Sequence, residues 1–118
     1  MTLEEKIYAV LSTIAPERVF SDFAPIDTPR PYITYQQIGG EAVDFVDRTI
    51  ASKENALIQV NVYSDSRKEA KATIQQIEIA LIQATDFQAS PQAAPSNDFD
   101  ADMERYSSMQ DFSIWADR

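Results

Sequence analysis

Asp98, Asp100, Asp102 and Glu104 are the residues whose type and spacing could do chemistry. Carboxylates at alternate positions offer the hard oxygen donors that magnesium or calcium takes. A metal held by these four would be the route to a small carboxylate-dependent enzyme. The pattern is incomplete, however. A helix–loop–helix calcium site needs a glycine at its sharp turn, a closing glutamate and two flanking helices, and none of these accompanies the run. The surrounding stretch, Asp86 to Asp102, carries Ser90, Pro91, Pro95, Ser96 and several alanines. It holds too little apolar surface to offset its ordering entropy, whereas a preorganised metal site needs rigid support. The expectation is a mobile, solvated acidic loop over 86–102 with a short extended piece around Phe87, and no metal or cofactor.

Little other chemistry is available. Gly39-Gly40, the only glycines, lack the further glycine, lysine and helix start of a phosphate-binding loop. They read as a tight turn or hairpin instead. The chain has no cysteine, which excludes disulfides, thiolate catalysis and cysteine-ligated zinc. It has no histidine, the commonest general base and metal ligand. Ten basic against 19 acidic residues give a net charge of −9, which repels phosphate backbones, so sequence-specific nucleic-acid binding is not expected. No apolar run approaches the roughly 18 residues needed to cross a bilayer. The acidic start, Met-Thr-Leu-Glu-Glu-Lys, lacks the pattern of a secretion signal. A soluble intracellular protein with no membrane partner is the simplest expectation.

The elements that must position these residues are more legible. At 118 residues the chain is expected to form a single domain over 1–118. Leu3, Ile7, Val10, Leu11 and Ile14 recur at helical spacing. Thr2 with Glu5 forms a capping box at their start, and Pro16 closes the helix. From Arg18 to Pro31 the pattern is irregular, with Val19, Phe20 and Phe23 anchoring a connection or a short strand. Arg30, between two prolines, reads as a solvated loop residue. Tyr32 to Ile38 is a strand, and Glu41 to Ser52 is expected to return as another. Asn55 to Ser64 alternates Ile58, Val60 and Val62 against Gln59, Asn61 and Tyr63, the period of a half-buried strand. The period changes at Ser64-Asp65-Ser66. Ala70, Ile74, Ile77 and Leu81 then form a helical stripe, with Ser66 and Glu69 as its capping box. Met103 to Ala116 is a long terminal strand with Phe112 and Ile114 toward the core.

The predicted fold is therefore α+β, in the order α-β-β-β-α-β. An antiparallel sheet of about four strands, with mixed pairing left open, carries both helices on one face. The opposite face would hold Tyr63, Met109 and Trp115 with Gln59 and Thr34. Exposed aromatic residues on a sheet face have the composition of interface anchors.

Pro31-Tyr32-Ile33-Thr34-Tyr35, the passage from Asn55 to Ser66 with its Ala-bearing helix, and the closing Asp111-Phe112-Ser113-Ile114-Trp115 resemble the tail terminator (tail completion) proteins of long-tailed phages and prophages. Element by element the resemblance covers nearly the whole chain except Asp86 to Asp102. None of its motifs is catalytic. It implies a structural, non-enzymatic subunit that forms a ring, usually of six copies, at the head-proximal end of the tail tube. Such a ring stops tube polymerisation and offers a surface to the head. Its partners would be further copies of itself, the major tail tube protein and head–tail connector proteins, in a virion tail assembled in the host cytoplasm. Under that reading Tyr63, Met109 and Trp115 contribute to subunit contacts. The loop bearing Asp98, Phe99, Asp100 and Asp102 orders on assembly. An acidic ring lumen would let DNA pass without adhering. The alternatives are another head–tail connector or stopper ring subunit, an unrelated small binding module, and the carboxylate or metal-dependent enzyme considered first.

Overall fold

A computed structural model describes residues 1–118. Helix α1 (Leu3–Ser12) starts where expected: the Thr2 hydroxyl accepts from the Glu5 amide at 3.1 Å and the carboxylate of Glu5 lies against that hydroxyl. Strand β1 (Val19–Ser21) pairs parallel with β2 (Tyr32–Gly39), so the sheet is mixed. Strand β3 (Lys53–Ser64) leads through Ser66 into α2 (Arg67–Gln83), whose first turn is capped by the Ser66 hydroxyl accepting from the Glu69 amide at 3.1 Å. Strands β4 (Gln88–Pro91), β5 (Ser96–Asp100) and β6 (Arg105–Asp117) complete the chain.

The sheet order is β1-β2-β3-β6-β4, with β5 pairing further along the same edge of β6. Strands β3 and β6 are its antiparallel centre, in register from Lys53↔Asp117 to Ser64↔Tyr106. One face of these strands presents Ala56, Ile58, Val60, Val62, Phe112, Ile114 and Ala116, all buried. Leu3, Ile7 and Leu11 of α1 and Ile74, Ile77 and Leu81 of α2 close over them in one cluster. The α+β order α-β-β-β-α-β is present, and both helices lie on the same face.

Three local expectations are corrected. Residues 41–52 form no strand. The expected strand at Tyr32–Ile38 is β2, and β3 pairs directly against it, with β6 on the other edge of β3; the short strand β1 supplies the third strand before α2. No edge remains inside the sheet for the residues between. Gly39-Gly40 is accordingly not a tight hairpin. The ladder shifts register between Gln37 and Gly39, and Gly40 at φ 150° carries the chain over the β3 backbone into a long excursion. Third, residues 86–102 hold β4 and β5, so the sheet has six strands where about four were expected. Their backbone groups find partners on the long edge of β6 despite the poor composition.

A Cβ on Gly40 would lie 2.5 Å from the Asn55 carbonyl oxygen, whereas one on Gly39 meets only the Leu57 side chain at 3.9 Å. Gly40→Ala should therefore cost about 1–3 kcal/mol of strain, while Gly39→Ala stays below about 1 kcal/mol. Urea unfolding followed by the fluorescence of Trp115 compares the two; equal stability would contradict the close approach.

Candidate assembly surfaces

The sheet face away from the helices is the candidate site, and the register fixes its occupants. Tyr32 stands opposite Tyr63, Asn61 opposite Met109, and Asn55 opposite Trp115. The expected interface residues Tyr63, Met109 and Trp115 do share this face. They are not one cluster. Tyr63 and Met109 line a common groove of about 410 Å³, whereas Trp115 lies six residues further along β6, about 20 Å away, beside Gln88 of β4. Met109 is exposed; Tyr63 and Trp115 are half-buried.

Tyr63 is half-buried because the fold uses it. Its ring stacks on Tyr32 with centroids 4.9 Å apart, and the Arg105 guanidinium lies over it at 4.4 Å from its centroid. Arg105 also donates to the Tyr32 hydroxyl at 2.7 Å and pairs with Asp100 at 3.7 Å. This cation–aromatic stack fixes one end of the face as a rigid block. Beside it Tyr32 and Thr34 are buried, so this end is partly covered by its own chain and the Met109 end is the open part.

The acidic residues do not build a metal site. Asp98 and Asp100 face the groove with Ser96, while Phe99 points to the helix side, 4.7 Å from the Tyr106 ring. Asp102 sits in the turn, where its amide donates to the Asp100 carboxylate at 3.1 Å. Asp100 thus caps the β5–β6 turn and pairs with Arg105. No group of three or more carboxylates in the structure is placed to hold a metal ion.

The arm formed by β5 and the start of β6 is held by arginines from elsewhere in the chain. Arg67, at the start of α2, donates to the Asp98 carbonyl at 2.8 Å and the Ser107 carbonyl at 2.9 Å, and lies over Tyr106 at 5.2 Å. Arg30 donates to the Met103 and Glu104 carbonyls at 2.7 and 3.0 Å and pairs with Asp65 at 2.9 Å. Arg30 is therefore a clamp and not the solvated loop residue its sequence context suggests. The signal was present: Pro29 and Pro31 fix the backbone on both sides of a single cation. Between β4 and β5, Gln110 donates to the Ala93 carbonyl at 2.9 Å, yet its Oε1 and the Oδ1 of Asp111 are buried without partners. Arm and link are thus tied down at the turn and under-satisfied at the link.

Sequence reasoning also missed two exposed apolar loops at opposite ends of a molecule 53 Å long. On the β1–β2 connection Phe23 is 78% exposed and Ile26, beside Met103 of the β5–β6 turn, is 90% exposed. At the far end, the β2–β3 loop exposes Val43, Phe45, Val46 and Ile50. Hydrogen bonds from Thr49 hold the Asp47 carboxyl in that loop below the usual carboxylate range, and the Lys53 ammonium does the same for Asp117. No helix is long and apolar enough to cross a membrane.

With this geometry in place, residues 6–117 match the family described as tail completion protein gp17. The chain belongs to that family. This tail completion protein is a structural component of phage-type tails, which is what the sequence resemblance implied. Among solved structures it is similar to a chain from the virion of a native gene transfer agent (GTA) particle, with a TM-score of 0.65 and 14% identity. The likeness covers 98% of this chain and 95% of that one. At that identity the likeness is one of fold. No curated protein matches the chain in sequence.

The arginine clamps make a checkable statement about local stability. Arg30→Ala and Arg67→Ala should each speed amide exchange over residues 97–106 by about tenfold while leaving α1 unchanged. Hydrogen exchange with mass spectrometry reads this directly; unchanged protection of the arm in both variants would show that the clamps do not hold it.

Proposed function

We propose that this chain closes into a ring, of six copies, on the head-proximal end of a tail tube. There it stops addition of major tail tube subunits and presents the surface on which head–tail connector proteins seat, with no reactive group of its own. The observation that carries this reading is the family match across residues 6–117. Two structural features support it. A ring needs two different complementary patches on each subunit, and the elongated molecule exposes apolar loops at opposite ends and an open groove between them. A virion tail component assembled in the host cytoplasm must also avoid sticking to the DNA that passes it, and a net charge of −9 repels phosphate.

Within this reading, Met109, Tyr63 and Trp115 face the neighbouring subunit. The arm carrying Asp98, Phe99, Asp100 and Asp102 is the part that settles on assembly. The unpartnered oxygens of Gln110 and Asp111 favour that role, since an unsatisfied buried polar atom costs about 1–3 kcal/mol and gains by a new donor. A stopper or connector ring on the head side would use the same features but would bind the connector without binding the tube.

The distinguishing experiment polymerises the major tail tube protein of the same phage or prophage with and without this protein. Tubes should shorten and narrow in length distribution as the protein is added, with one end capped in electron micrographs. Met109→Asp should weaken capping by about tenfold. Unchanged tube lengths with no protein at either end would overturn the terminator reading.

A further inference from the structure

Residues 41–52 alternate like a strand, yet the sheet has no place for them. Glu41 is tethered through its amide to the Asn55 side chain at 2.8 Å, and the loop turns at Phe45–Arg48 with Asp47 accepting from Thr49. Between these points Val46 is fully exposed and Ile50 80% exposed. Long connections that display several apolar side chains are contact surfaces more often than idle links. The segment also carries Glu41, Asp44 and Asp47 against the single cation Arg48.

Charge selects its partner. With 19 acids against 10 bases, two copies repel one another over most of their surfaces, so copies meet best where cations are not already engaged. Arg18, Arg30, Lys53, Arg67 and Arg105 all bind groups within their own chain. Lys6, Arg48, Lys68, Lys71 and Arg118 make no ion pair, and of these Lys68 and Lys71 stand together, exposed on the first turns of α2. Further along the same stripe, at helical spacing, Ile79 and Ile82 are 56% and 49% exposed. The outer side of α2 is therefore basic at its start and apolar at its end, which complements an acidic and apolar loop.

We infer that the β2–β3 loop of one copy docks along the outer stripe of α2 in the next copy. Glu41 meets Lys68 and Asp44 meets Lys71, with the long lysine side chains reaching toward the loop, and Val46 and Ile50 cover Ile79 and Ile82. The lengths are compatible: Glu41 to Ile50 could reach about 30 Å if fully extended, the turn at Phe45–Arg48 shortens that reach, and Lys68 to Ile82 spans about 21 Å along the helix. The two patches differ, so the contact is heterologous and suits a closed ring. This inference rests on the ring reading above.

The absence of cysteine makes the test clean. Val46→Cys protein is mixed with Ile79→Cys protein under assembly conditions with tail tubes and treated with a short bis-maleimide. A covalent dimer of the two variants is expected, and the double variant should give a ladder ending in one closed species. Ile26→Cys mixed with Ile79→Cys, probing the end that carries the β5–β6 turn, should give none. Independently, Lys68→Glu with Lys71→Glu should weaken assembly about tenfold, and adding Glu41→Lys with Asp44→Lys in the same chain should restore it. Rings that form without the Val46–Ile79 product, or a charge swap that fails to restore them, would overturn this contact while leaving the ring. If copies do not associate on tubes or in solution, the ring reading itself falls, and this contact with it.

Discussion

The pairing of β3 with β6 is the constraint on which the rest depends. Its twelve paired positions alternate between a buried face whose centre is Ala56, Ile58, Val60, Val62, Phe112 and Ile114 and a partly open one. A slip of one residue would send Ile58, Val60, Val62, Phe112 and Ile114 to solvent and bring Gln59, Asn61, Tyr63 and Met109 under the helices. Two amphipathic helices lie over one face only, so the register is fixed by what they bury. The same register then decides, without further instruction, which side chains remain available on the other face.

Function in this molecule comes from what that core leaves over. The arginines hold the β5–β6 arm through backbone carbonyls, so the arm's own exposed side chains need not contribute to its placement. The apolar loops at the two ends are displayed in the same way, on connections whose bases are fixed by the sheet and whose tips have nothing to bury against. Carboxylates are abundant but dispersed: Asp100 caps a turn, Asp65 receives Arg30, and Asp117 receives Lys53. Most of the 19 acids make no ion pair, and the family to which the chain belongs is that of tail completion proteins.

Periodicity made the core legible in the sequence. Alternation in 55–64 and 106–115 and the helical stripes of Leu3–Leu11 and Ala70–Leu81 are consequences of burial, and burial is what a pattern of apolar residues records. Capping at Thr2 and Ser66 was readable for the same reason, because it is local. Residues 41–52 misled because alternation records only that a strand could form, and whether an edge is free depends on the topology. Strands β4 and β5 were hidden in the opposite way: their residues are mostly exposed and bury almost nothing, so only the long edge of β6 gives them structure. Arg67 acts on carbonyls far along the chain, a kind of partner that leaves no mark on sequence spacing, whereas Arg30 was marked only by the prolines on either side of it. Tyr63, Met109 and Trp115 were placed on one face correctly, but their separation into two regions follows from strand length and register.

The central claim is that copies of this chain work by surface complementarity at a tube end. Electron cryomicroscopy of tails assembled with the protein tests it most directly. The account predicts one ring of this chain at a single end of each tube, with the β2–β3 loop and the β5–β6 arm buried in contacts and the helix-covered core unchanged. Particles that lack the chain, or that carry it along the tube wall with those loops free in solvent, would contradict it.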